Sequence, residues 1–187
     1  MANIVIVSGS PTANSRLFGL TQYSESQLER LGHEVAHLQV ASLPAEDLIG
    51  ANFNSPAVIE AVAQVEKADA VIIASPVYKA SYTGVLKTFL DLIPQKGFQN
   101  KVIAPLFIGG TIAHLLSIDY ALKPVAAALG ATNMLSGVYA IDQWVERIDG
   151  GGFKLSVEIT ERLDNTIAQL NEELKWQTLR QGTPAAK

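Results

Sequence analysis

Apolar residues in this chain fall into short unbroken runs separated by longer stretches with helical spacing. The first run, Ile4-Val5-Ile6-Val7, is closed by Ser8-Gly9-Ser10-Pro11. A β-branched run ended by a Ser/Gly/Pro cluster predicts a strand followed by a loop. Leu17, Leu20, Tyr23, Leu28 and Leu31 then share one side of a predicted helix over 15–31, and Gly32 stands at its C-terminal position. Residues 35–40 predict a second, weaker strand and 42–55 an irregular stretch. Pro56 opens a helix bearing Val58, Ile59, Val62 and Val65.

The pattern repeats downstream. Residues 69–74 form a continuous apolar run ended by Ser75-Pro76, as expected for a strand buried on both faces of a parallel sheet. Residues 83–93 read as a helix stopped by Pro94, 102–108 as a fourth strand ended by Gly109-Gly110, and 111–124 as a long helix meeting Pro124. A fifth strand over 134–140 and a final helix from 156 to about 179 complete the chain. The tail from about residue 180 is expected to be frayed. Strands alternating with helices predict a single α/β domain, a three-layer sandwich around a five-stranded parallel sheet. The economical strand order is the flavodoxin-like 2-1-3-4-5.

Composition narrows the function classes. Among 187 residues there is no cysteine, which excludes disulfides, thiolate metal sites and a catalytic thiol. A net charge of −4 gives no support to nucleic-acid binding. No apolar stretch approaches the roughly 20 residues that cross a bilayer, and the start lacks a basic signal-peptide region. A cytoplasmic protein is expected. The three His residues show no metal spacing, so no metal site is assigned.

In such a sheet, ligands bind beyond the carboxyl ends of the strands, which singles out three loops. Ser8–Arg16 leads from the first strand into the first helix, where backbone N–H groups and the positive helix end form an anion cradle. Ser10 and Ser15 add hydroxyls and Arg16 a bidentate guanidinium, suiting a terminal phosphate monoester; simple helix capping by the same residues is the alternative. Neither G-x-x-x-x-G-K-[ST] nor G-x-G-x-x-G occurs in this loop, which disfavours a nucleoside triphosphatase and a Rossmann pyrophosphate site. In Ser75–Gly84, Pro76 restricts the backbone while Tyr78 and Tyr82 are placed to border a planar ring, or to pack with wet hydroxyls. Gly109-Gly110-Thr111 permits close backbone approach. His114 is either an acid/base group or a structural histidine. With no nucleophile–base pattern and no paired carboxylates, the chemistry points to a bound cofactor.

Together, Gly9-Ser10-Pro11…Ser15-Arg16, Ser75-Pro76-Val77-Tyr78-Lys79…Gly84-Val85-Leu86-Lys87 and Gly109-Gly110-Thr111 resemble the flavodoxin-like NAD(P)H-dependent FMN reductase family. The stretch from Ala113 to Val125 is especially similar to members that serve alkanesulfonate monooxygenases. The resemblance implies that Ser8, Ser10, Ser15, Arg16 and Leu17 hold the FMN phosphate. Pro76, Val77, Tyr78 and Lys79 would line one side of the isoalloxazine, and Gly109, Gly110, Thr111 and His114 another part of it. Hydride would pass from NADPH to FMN, a substrate or loosely bound flavin, with no catalytic side chain. FMNH₂ would then leave for a partner flavin-dependent sulfonate monooxygenase used in sulfur acquisition. An FMN-retaining quinone or azo-dye reductase and a flavodoxin-type electron carrier are the competing readings.

Assembly is suggested twice. Pro124 has no N–H for the carbonyl of Tyr120, so the helix must either widen into a π turn or kink. The resemblance makes Tyr120 the family's π-helix residue, governing flavin exchange at the interface of a homotetramer built as a dimer of dimers. Val85, Leu86, Phe89, Leu90, Leu92 and Ile93 also leave the third helix apolar nearly all round, and cover by another subunit is the simpler expectation.

Overall fold

The computed structural model describes residues 1–12 and 14–182. In chain order its first half comprises β1 (Asn3–Ser8), α1 (Leu17–Arg30), β2 (Glu34–Gln39), α2 (Ala45–Ile49), α3 (Pro56–Lys67), β3 (Ala70–Tyr78), β4 (Ser81–Tyr82) and α4 (Gly84–Leu90). The second half comprises β5 (Val102–Gly109), a π-helical turn (Ile118–Leu122), α5 (Lys123–Ala128), β6 (Asn133–Met134) and β7 (Val138–Ile141). It ends with β8 (Val145–Arg147), β9 (Phe153–Leu155) and α6 (Val157–Gly182). No helix among the described residues is long and apolar enough to cross a membrane.

The sheet runs β2-β1-β3-β5 and then β6 with β7, all parallel, while β4 folds back antiparallel on β3. Its five positions follow the flavodoxin-like order 2-1-3-4-5. Alternation along the buried strands divides the core in two. Val5, Val7, Val71, Ile73, Ile103 and Phe107 face the side covered by α2, α3, α4 and α5. Ile4, Ile6, Ala70, Ile72, Ala104 and Leu106 face α1 and α6. This is the expected three-layer sandwich.

Several details differ from the sequence expectation. Seven strands build the sheet rather than five. One extra is β4. The other arises because the fifth strand is split: Met134 pairs with Ile103 and Val138 with Leu106, so three residues, Leu135–Gly137, face two, Ala104 and Pro105. That is a β-bulge, set opposite a proline that has no N–H for the ladder. Gly137 takes φ +73, and a Cβ there would lie 2.4 Å from the Pro105 carbonyl oxygen.

The stretch read as irregular contains α2, and the segment between the fifth strand and last helix holds an unforeseen ribbon, β8–β9. The predicted long helix after Thr111 is broken into a 3-10 turn at 112–114, the π turn and α5, with Pro124 in the first turn of α5. Helix α6 continues through residues 180–182, and the remainder of the predicted tail lies outside the described residues. The all-apolar third helix is buried by its own domain: Leu86, Phe89, Leu90, Leu92 and Ile93 join the core between the sheet and α3. Its apolar excess therefore says nothing of a second subunit. Asp91 and Asp119, which stand within apolar helical sequence, pair with Lys87 and Lys123.

Gly137→Ala combines a positive φ with a backbone clash, and is expected to lower stability by about 2–4 kcal/mol. Urea titration of the variant beside the parent protein measures the loss.

Candidate functional site

The carboxyl ends of β1, β3 and β5 bring the three singled-out loops to one edge of the sheet. The loop after β1 is held from beneath. Gly9 N–H donates to the Ala74 carbonyl at 2.8 Å, and the Gln39 side-chain amide donates to the Ser10 carbonyl at 2.7 Å. Ser8 and Ser10 are fully buried. The Ser10 hydroxyl donates to the Thr12 carbonyl at 2.8 Å, and Ser8 Oγ faces Ser10 N–H at 3.4 Å. Both serines thus shape the loop. Ser15 Oγ accepts from Leu17 N–H at 3.2 Å, while the Leu17 side chain is buried under the sheet. Arg16 occupies the helix N-cap position without a side-chain cap, and the first turn of α1 carries no acidic residue. Its Nε donates to the Val145 carbonyl at 2.9 Å.

The second loop is largely strand. β3 runs on through Pro76 to Tyr78 because β1 ends its pairing at Ala74, leaving β3 one-sided where the proline lacks a donor. Val77 then pairs with Tyr82 and Tyr78 with Ser81, so Lys79 and Ala80 form a two-residue hairpin turn. Both take positive φ, 52° and 65°. Such a turn ordinarily employs Asn-Gly, so two side chains here hold a strained backbone at the mouth of the site. Tyr78 is 54% exposed at the tip, whereas Tyr82 packs edge-on against Phe107 with centroids 6.5 Å apart. Burial raises the Tyr82 phenol pKa above its ordinary value.

Thr83 ties the first two loops together. Its Oγ1 donates to the Gly9 carbonyl at 2.6 Å and accepts from Leu86 N–H at 3.1 Å, capping α4. Its own N–H donates to Ser75 Oγ at 3.0 Å. Gly9 lies so close to α4 that a Cβ on it would stand 2.5 Å from Leu86 Cβ. The third loop hangs from β7: Tyr139 Oη donates to the Thr111 carbonyl at 2.8 Å, and Thr111 Oγ1 accepts from Ala113 N–H at 3.1 Å. Burial, reinforced by nearby Asp142, pushes the Tyr139 phenol pKa up. A Cβ at exposed Gly110 would meet only Asp142 Oδ2, at 4.0 Å. There is room for a flat ring against that backbone. His114 is exposed, as are Ile112, Leu115, Leu116 and Tyr120.

All three loops therefore lie at one edge of the sheet, but the sequence reading missed the residues that fix their backbones. Gln39, Thr83, Tyr139 and Arg147 each bind a loop backbone. Gln39 was reachable from its place at the carboxyl end of the strand beside β1. Arg147 carried no signal, because its ribbon was not foreseen.

Residues 2–146 match the family described as NADPH-dependent FMN reductase. The chain is 47% identical over 142 residues to an FMN reductase (NADPH) of Escherichia coli, spanning 76% of this chain and 74% of that protein. It is 45% identical over 165 residues to an FMN reductase (NADPH) of Pseudomonas putida, spanning 88% and 84%. Among solved structures, an apo NADH:FMN oxidoreductase, EmoB, superposes with a TM-score of 0.83 at 32% identity, covering 92% of this chain and 90% of that one.

Thr83→Val keeps the shape of residue 83 but removes the α4 cap and leaves the buried Gly9 carbonyl unpaired. A loss of about 2–3 kcal/mol is expected by thermal or urea unfolding.

Proposed function

Because the chain belongs to the NADPH-dependent FMN reductase family, and so reduces FMN with NAD(P)H, we propose that the three joined loops are where the flavin binds. The observation that carries this is that Thr83 joins the first two loops while the third, steadied by Tyr139, starts beside the second, where a Cβ on Gly109 would stand 3.4 Å from Val77 Cβ. The residues suit FMN. The helix end at Arg16 carries no competing acidic group, and the open face at Gly110 accepts a planar ring.

In this reading Ser15 and Arg16 hold the phosphate, and Ser8, Ser10 and Leu17 contribute through the loop backbone they shape. Pro76, Val77, Tyr78 and Lys79 border one part of the isoalloxazine. Gly109, Gly110, Thr111 and His114 border another. Bound FMN supplies the two-electron acceptor for hydride, so the protein's task is to orient it and leave one ring face open to NADPH. Tyr78, exposed beside the strained turn, closes the edge of that opening. No side chain is needed as a proton donor.

The reading extends to fate and assembly. The reaction runs in the cytoplasm, and FMNH₂ leaves for a flavin-dependent monooxygenase that desulfonates alkanesulfonates; the likeness of residues 113–125 to reductases of that system supports this. Self-association into a dimer of dimers is supported by the exposed apolar run Ile112, Leu115, Leu116 and Tyr120, the last 79% exposed on the π turn. Subunits meeting there would hold Tyr120 beside the site, because β4 packs against the π turn.

Arg16→Ala should raise the KM for FMN roughly tenfold, the weight of one charge-assisted contact, while leaving riboflavin kinetics unchanged. Equal KM for FMN in both proteins would refute the phosphate-loop reading. Deleting Tyr120 should restore α-helical spacing, lower the particle mass by light scattering and leave FMN attached through gel filtration. A colourless variant of unchanged mass would refute the exchange role.

A further inference from the structure

The β8–β9 ribbon begins where the family match ends, at residue 146, and it grasps the first loop from the far end of the sequence. Its base is fixed. Ser156 N–H donates to the Trp144 carbonyl at 2.9 Å, and the Arg162 guanidinium lies 5.1 Å from the centre of the Trp144 ring, joining the ribbon to α6. Its body sits directly on α1: a Cβ at Gly19 would stand 2.8 Å from Val145 Cγ1 and 2.9 Å from Phe153 Cβ. Two hydrogen bonds then reach the loop. The Val145 carbonyl accepts from Arg16 Nε at 2.9 Å, and Arg147 Nη2 donates to the Asn14 carbonyl at 2.5 Å.

Strand alternation sorts the charges. Val145 and Arg147, two residues apart, share the face that meets the loop, while Glu146 takes the opposite face and pairs in register with Lys154. The ribbon therefore brings a cation, and no carboxylate of its own strand, to the loop. Anchoring Arg16 through Nε leaves both of its terminal amino groups without a hydrogen bond to any described residue. Those are the edges that grip phosphate bidentately. Arg147 adds a second guanidinium to the same loop and pins the carbonyl at its crest, which would otherwise be free to turn toward an incoming anion.

We propose that the ribbon is a clasp on the flavin-phosphate loop and that Arg147 is its positioning residue, setting how strongly the protein prefers FMN over riboflavin. The proposal rests on the assignment of Ser15 and Arg16 to the phosphate. Without Arg147 the Asn14 carbonyl is released, and the loop loses one of the two guanidinium groups beside it. The ring-binding loops are untouched. The effect is thus confined to ligands that carry the phosphate.

Flavin fluorescence titrations of the intact protein, without NADPH, separate the possibilities. Arg147→Ala should weaken FMN binding about tenfold and riboflavin binding by less than about twofold. Arg147→Lys, which keeps a donor and the charge, should recover most of the FMN affinity. Unchanged FMN affinity in Arg147→Ala, or equal weakening of FMN and riboflavin, overturns the clasp. A parent protein that binds FMN no more tightly than riboflavin overturns the phosphate-loop assignment itself, and the clasp with it. A parent that prefers FMN beside an Arg147→Ala variant with the same preference overturns the clasp alone.

Discussion

One hydroxyl holds the functional edge of this protein together. Thr83 Oγ1 donates to a carbonyl of the loop after the first strand and accepts from an amide at the start of α4, while Thr83 N–H is held by Ser75. All of these groups are buried, where an unmet polar atom is costly and a met one is well fixed. Two loops 74 residues apart in sequence therefore move as one body. The close approach of Gly9 to Leu86 follows from the same contact, since the short hydrogen bond draws the backbone onto the helix. A site made of separate loops gains rigidity without any catalytic side chain, which suits chemistry performed by a bound flavin.

The two faces of the sheet divide the work. The side covered by α3, α4 and α5 carries the large apolar residues Phe89, Phe98 and Phe107, and gives α4 and the hairpin a firm base. Tyr82 and Tyr139 belong to the margin of that core; the Tyr139 hydroxyl reaches the Thr111 carbonyl, while the Tyr82 phenol is influenced by Lys87 and Asp91. The opposite side is closed by α1 and α6, and the loop after β1 is tied to the ribbon through Arg16. On the proposed placement, each part of the flavin would meet a different structural layer.

Most of the fold was legible because buried parallel strands leave a strong mark. Ile4–Val7, Val71–Ala74 and Val102–Ile108 are apolar on both faces, and Ser/Gly/Pro clusters end two of them where the sheet opens toward ligand. Pro76 misled, because a proline reads as a strand end unless the loss of a neighbouring strand is known. The ribbon was invisible for a related reason: three-residue strands have too little period to register, and Gly150-Gly151-Gly152 reads only as a loop. At the three loops the sequence could nominate only residues with a direct chemical signature, whereas Gln39, Thr83, Tyr139 and Arg147 act on backbone groups through distant partners. Such contacts have no local pattern. Pro124 announced a defect in the helix, since it removes a specific hydrogen bond, but left a π turn and a kink both open; the resemblance of the surrounding stretch favoured the π turn that the structure has.

The bulge in the fifth strand makes the length of the chain there a discrete variable. Ile103 and Phe107 lie on one face of β5 and are four residues apart; their partners Met134 and Tyr139 are five apart. The bulge absorbs the added residue, which is what keeps Tyr139 on the same side as Phe107. Deleting one residue between Met134 and Val138 would match four residues against four and leave Tyr139 on that side, whereas deleting two would turn it to the opposite side and release Thr111. Loss of one residue from the Gly150–Gly152 tip would shorten a loop and reverse nothing. Loss of a single residue in this fold should therefore be tolerated at either place, and loss of a second excluded from the bulge.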